Sequence, residues 1–160
     1  MLFRSALAER FATLFAGAES GTVESACARL KCPGDYRDLA MLAARFSASI
    51  EDADRLDAAG LVELFVRCDA FRRPDRFAAL LETVDCDALA LGRERHFRVA
   101  QRVVRALKAA QGVDAGEIAA QNPGNVPDAV RAARIAAVAD RKSTRLNSSH
   151  SQQSRMPSSA

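Results

Sequence analysis

Apolar residues recur every three or four positions along most of this 160-residue chain, and the alternation typical of a β-strand is nearly absent. Because 3.6 residues complete one helical turn, this spacing gathers apolar side chains on one face of each helix. The sequence therefore predicts an all-α fold. The apolar stripes of the expected helices are Leu7, Phe11, Leu14 and Phe15; Val23, Cys27 and Leu30; Tyr36, Leu39, Ala40, Ala43 and Phe46; Leu61, Leu64, Phe65, Cys68 and Phe71; Phe77, Leu80, Leu81 and Val84; and Phe97, Ala100, Val104 and Leu107.

Proline and glycine residues separate these helices. Pro33 and Pro74 each open a helix, because the first helical turn tolerates proline. The longest helix is expected over residues 92–110. After a break rich in Asn, Pro and Gly at residues 122–125, a short C-terminal helix is expected over residues 127–138.

Both ends of the chain match the translation of a common sequencing-library adapter. Residues 140–150 follow one reading frame of that adapter, residues 154–160 follow a frame of its far end, and residues 1–5 follow the reverse complement of its first bases. We therefore expect both ends to be adapter-derived and the rest to be an internal piece of a longer protein. The Ser-rich residues 140–160 lack an apolar period, so we expect them to be disordered.

Between these ends we expect a multi-helix body over residues 6–88 and a helical tail over residues 89–139. The whole chain has 23 Lys and Arg against 20 Asp and Glu, but the ends hold five of the basic residues and one of the acidic. The part between them therefore has 18 basic and 19 acidic residues. Any attraction to nucleic acid must come from local patches.

Neither a membrane segment nor a metal site is expected. No apolar run reaches the roughly eighteen residues that span a bilayer. The four cysteines, Cys27, Cys32, Cys68 and Cys86, lack CxxC spacing and nearby histidines, so zinc is not expected. We interpret them as reduced thiols of a cytosolic protein.

The first candidate site is the junction that contains Arg72, Arg73 and Arg76. Three guanidinium groups near one bend can bind consecutive phosphates. The alternative is that these arginines pair with Asp69 and Asp75 and serve the fold.

The second candidate is a basic face on the long helix, with spacings of three and four. It would lie opposite that helix's apolar stripe and could follow a nucleic-acid backbone. The alternative is an ordinary solvated face. Its members are Arg95, Arg98, Arg102, Arg105 and Lys108.

The third candidate is the pair Arg131 and Arg134 on the last helix, for which a plain packing helix is the alternative. No catalytic residue is expected: His96 has no serine or cysteine partner in view, and there is no Gly-rich phosphate loop.

Four motifs in order resemble the C-terminal half of bacterial CCA-adding tRNA nucleotidyltransferases, across most of residues 6–139. They are Arg10 to Leu14, which resembles RFA-x-L; Cys27 to Phe46, which resembles C-x-RL-x-x-P followed by RDLALL-x-ARY; Asp69 to Phe77, which resembles DAWRRPERF; and Gly124 to Val138, which resembles a segment ending in RARIAAV.

The chain departs from this family where the family carries its HD metal ligands. Ala16, Gly17 and Ser47 stand at those positions, and Asp69 is the one acidic ligand position left. A phosphohydrolase site needs His and Asp together. The resemblance thus implies a body whose HD region is degenerate and holds no metal.

The resemblance also implies what the rest of the parent protein does. The parent would transfer CMP and AMP from CTP and ATP to a tRNA 3′ end, using Mg²⁺ in an N-terminal head that this chain lacks. The chain would need no cofactor itself, and its partners would be cytoplasmic tRNA and that head. The alternative function is a helical protein-interaction module without enzymatic activity.

Overall fold

The computed structural model describes residues 7–92 and 96–148, with side-chain placement for residues 7–92 and 98–140. This part of the chain contains eight helices and no strand, so the all-α prediction is confirmed. The helices are α1 (Leu7–Thr13), α2 (Ser20–Arg29), α3 (Gly34–Glu51), α4 (Ala58–Arg67), α5 (Pro74–Ala90), α6 (His96–Gln111), α7 (Ala115–Gln121) and α8 (Val126–Ser148).

Local sequence signals explain where several helices begin. The Asp57 carboxylate accepts a hydrogen bond from the Gly60 N–H at 2.7 Å and so caps α4. Pro74 occupies the first turn of α5, where no backbone N–H is needed. Asp114 caps α7 by accepting from the N–H groups of Gly116 and Glu117. We did not expect α7, although this cap is visible in the sequence.

The helices form two packed groups around one continuous apolar core. Helices α1, α2 and α5 pack against α3, while α4, α6 and α7 pack against α8. Contacts of α6 with α3 and α5 join the two groups. The core runs without a break from Ala12 to Val138, and Phe65 and Phe77 are its largest fully buried side chains. Within this core, α8 packs directly against α4 and α6.

Some of the expected boundaries and apolar faces are wrong. The longest helix is α8 rather than α6, and α8 continues past Val138 to Ser148 because no proline or glycine stops it there. Residues 149–160 lie outside the described part of the chain. Leu14 and Leu30 are 77% and 65% exposed, because α1 and α2 end one residue before them.

Among the described helices, none is both long and apolar enough to cross a membrane.

Candidate functional site

The α4–α5 junction reverses the chain through a left-handed residue. Asp69 has φ +55°. Its N–H donates to the Val66 carbonyl at 3.0 Å, and the Ala70 N–H donates to the Phe65 carbonyl at 2.9 Å. These two bonds form a Schellman motif, in which the left-handed residue after the helix is usually glycine. Aspartate tolerates this backbone region better than most residues, so its carboxylate can be held at the bend.

Three of the candidate arginines surround this carboxylate. Arg76 Nη2 lies 3.5 Å from Asp69 Oδ2, while the Nε atoms of Arg72 and Arg73 each lie 4.0 Å from an Asp69 oxygen. The pairing with Asp69 that we weighed as the alternative is therefore present. However, the Arg72 and Arg73 side chains are 85% and 60% exposed. Exposed pairs this long are weak, so both guanidinium groups can still bind an external anion.

Arg134 reaches the same junction from α8. Its guanidinium carbon lies 3.8 Å from the centre of the Phe71 ring, close enough for a cation–π contact. The Phe71 ring meets Phe65 edge-on at 6.1 Å, and Phe65 meets Phe77 at 5.7 Å. Burial lowers the pKa of Arg134. The guanidinium stays charged, because the ordinary pKa of arginine is above about 12.

Arg131 lies one turn earlier on α8 and contacts α4. Its Nη2 lies 3.2 Å from Glu63 Oε2. Helix α8 thus brings the third candidate segment onto the first, although the two are some sixty residues apart in the sequence. We call the combined set the junction cluster. Its members are Arg72, Arg73, Arg76, Arg131 and Arg134.

Some side-chain groups of the junction cluster lower the stability of the fold. The Nε atoms of Arg76 and Arg134 are buried and have no hydrogen-bond partner among the described residues. A buried unpaired donor costs about 1–3 kcal/mol. In the contacts above, Arg72, Arg73 and Arg76 also share the single carboxylate of Asp69. Local departures of this kind are typical of functional surfaces.

The residues of the basic face expected on α6 do not all face solvent. Arg98, Arg105 and Lys108 are exposed. The two terminal nitrogens of Arg102 instead donate to backbone carbonyls between α3 and α4, that of Ala53 and, at 2.5 Å, that of Leu56. Arg95 lies outside the described residues.

The periodicity of α6 explains the position of Arg102. This residue follows buried Val99 by three positions and precedes buried Ala106 by four, so it borders the buried face. Our expected apolar stripe included Val104, which is 38% exposed. The expected basic face is therefore interrupted at Arg102, whose side chain donates to the α3–α4 loop, and contact of this face with RNA stays a prediction.

We expect Arg102→Ala to lower the free energy of unfolding by about 1.5–3 kcal/mol, because both bonds involve a charged donor. Urea unfolding followed by circular dichroism measures this change. Arg105→Ala is the matched control on the exposed side of α6 and should change stability by no more than about 0.5 kcal/mol. Equal effects of the two substitutions would contradict the assigned role of Arg102.

Ala16, Gly17 and Ser47, where we expected the HD metal ligands to be replaced, lie within the described residues. Gly17 has φ +72°, and a Cβ at that position would meet no atom within 4 Å. The buried Ser47 hydroxyl donates to the Ala43 carbonyl at 2.5 Å. Across residues 7–92 and 98–140, His, Cys, Asp and Glu form no group of three or more that could hold a metal ion.

Curated proteins of one name match the chain repeatedly. A multifunctional CCA protein of Ralstonia nicotianae is 44% identical over 124 residues, which represent 73% of this chain and 28% of that protein. That of Herminiimonas arsenicoxydans is 43% identical over 128 residues, with 73% and 30% covered. This chain is a relative of the multifunctional CCA proteins. The family that the four sequence motifs indicate is therefore confirmed.

The similarity is limited to one part of those relatives. The multifunctional CCA protein of Dechloromonas aromatica, 42% identical over 119 residues, is covered to 29% of its length. The chain thus spans less than a third of the multifunctional CCA proteins that it matches. No protein-family profile and no solved structure matches it.

Proposed function

We propose that this chain is the tRNA-engaging part of a CCA-adding tRNA nucleotidyltransferase. In this proposal the junction cluster binds the phosphate backbone of tRNA. Arg72, Arg73 and Arg131 make the contacts, while Arg76 and Arg134 hold the α4–α5 junction in position. Arg98, Arg105 and Lys108 on α6 make further contacts with the RNA, and a contact by Arg95 stays a prediction from the sequence.

The observation that carries the proposal is the convergence of two arginine segments on one junction. Stacking of Arg134 on Phe71 at 3.8 Å joins them, and the relatives are multifunctional CCA proteins. Guanidinium groups match phosphate geometry, and folded RNA is bound through its backbone and shape rather than its base sequence. Helices with local arginine clusters suit that kind of contact.

Nucleotide transfer would take place elsewhere in the parent protein. We propose that the parent transfers CMP and AMP from CTP and ATP to the tRNA 3′ end, with Mg²⁺ bound in its N-terminal head. The described residues of this chain would then position tRNA for that head in the cytoplasm and bind no cofactor themselves.

Binding of a tRNA that lacks its 3′ CCA tests the proposal, with fluorescence anisotropy as the readout. The comparison is a single-stranded RNA of equal length and charge. We expect tighter binding of the tRNA, since the surface should recognise a folded shape. Equal affinity for both RNAs, or binding of neither, would contradict the proposal and favour a protein-interaction module.

Asp69→Asn tests whether the carboxylate restrains the junction arginines. Asparagine tolerates the left-handed backbone of this residue but carries no charge, so stability should change by less than about 1 kcal/mol. With the carboxylate neutralised, we expect the affinity for tRNA to rise several-fold. The control is Asp52→Asn, which removes an exposed pair with Arg55 on the α3–α4 loop. Weaker binding of Asp69→Asn than of Asp52→Asn would show that the carboxylate instead orients the arginines.

A further inference from the structure

Cys27 and Cys32 lie on either side of the end of α2. Lys31, just after this helix, has φ +50°. The Cys32 N–H donates to the Cys27 carbonyl at 3.0 Å. This is a Schellman motif, in which the side chains of the two residues joined by that bond often contact each other. Apolar residues usually occupy both places, and here both are cysteine.

The two thiols differ in their exposure to solvent. Cys27 is 2% exposed, whereas Cys32 is half-buried and can be reached from solvent. Burial raises the pKa of Cys27, and the neighbouring Cys32 thiol raises that pKa further. The Arg37 guanidinium acts in the opposite direction. A reachable thiol thus lies beside a buried one.

We propose that Cys27 and Cys32 form a modification site that reacts with small-molecule disulfides and closes to an internal disulfide. The backbone hydrogen bond from Cys32 to Cys27 closes the end of α2 and places the two side chains next to each other, as such a bond requires. The pair lies at the end of α2, whereas the junction cluster lies on the α4–α5 junction, α5 and α8, so the two sites share no residue.

The reaction proceeds in two exchange steps. The Cys32 thiolate attacks one sulfur of the small disulfide, so that a mixed disulfide forms and one small thiol leaves. Cys27 loses its proton to solvent, and its thiolate attacks the Cys32 sulfur, which releases the second small thiol. The two cysteines together lose two electrons and two protons, and the small disulfide is reduced to two thiols.

The other buried cysteine provides an internal control. Cys68 is 1% exposed, and burial raises its pKa to about 12. The first exchange step needs a thiol that a small disulfide can reach from solvent, so Cys68 should stay unmodified. We expect Cys32 to react at least about tenfold faster than Cys68 in the folded chain.

The test is incubation of the folded chain with oxidised glutathione, followed by alkylation and tryptic mass spectrometry. Trypsin cuts after Arg29 and Lys31, so a Cys27–Cys32 disulfide appears as two linked peptides. We expect this linkage in the unaltered chain without a lasting glutathione adduct. In Cys27→Ser, which removes the second step, a glutathione adduct should accumulate on Cys32. Cys86→Ser is the control and should leave the linkage intact.

A lasting adduct on Cys32 of the unaltered chain would overturn the proposal. So would linkage of either thiol to Cys68 or Cys86, or an unreacted pair. The unaltered chain decides the matter even if Cys27→Ser does not fold.

Discussion

We expect the double substitution Arg72→Glu/Arg73→Glu to weaken tRNA binding by roughly 30-fold or more at low salt. Both side chains are largely exposed, and their contacts to Asp69 are long. Each lost phosphate contact removes the gain from counterion release, and each new carboxylate repels the backbone. Anisotropy titration against the same tRNA measures the change. The fold should be unaffected, because neither side chain is part of the core.

The matched control carries the same charge change on another surface. Arg10 and Arg29 are exposed on α1 and α2, which pack against α3. We expect Arg10→Glu/Arg29→Glu to weaken tRNA binding by no more than about threefold, because these substitutions change only the overall electrostatic field of the chain. If both double variants lost affinity equally, attraction to tRNA would be a property of net charge rather than of the junction.

Phe65→Ala should lower the free energy of unfolding by about 3–5 kcal/mol. Phe65 is completely buried, and its ring packs edge-on against those of Phe71 and Phe77. Its removal leaves a cavity beneath the ring on which Arg134 stacks. Urea unfolding by circular dichroism gives the value. Leu14→Ala, at a side chain that is 77% exposed, should change stability by no more than about 0.5 kcal/mol.

A loss below about 1 kcal/mol in Phe65→Ala would mean that the α4–α5 junction can collapse around the missing ring. The rigid support that we assign to Phe71 and Arg134 would then not exist.

Helix faces could be predicted from the sequence wherever the apolar period is strong. All four residues of the α5 stripe, Phe77, Leu80, Leu81 and Val84, are buried as expected. The period does not predict whether a residue at the border of the apolar face is buried or exposed. For this reason the spacing placed Arg102 on the exposed basic face of the long helix. In the structure its guanidinium donates to two carbonyls of the α3–α4 loop.

The meeting of distant segments could not be predicted in this way. Periodicity defines which side of α8 is apolar, but it does not say which helix that side will contact. The stack of Arg134 on Phe71 depends on the packing of α8 against α4. The thiol pair at Cys27 and Cys32 likewise depends on the left-handed residue Lys31, which nothing in the composition requires.

The most direct test of the junction cluster as a tRNA surface is the salt dependence of affinity in variants of its two segments. We predict that Arg72→Ala/Arg73→Ala and Arg131→Ala each reduce the slope of log affinity against log salt. The reduction should be about 0.7–0.9 per lost phosphate contact, and the combined variant should show the sum. An unchanged slope in either variant would contradict the account, because that segment would then make no contact with the tRNA backbone.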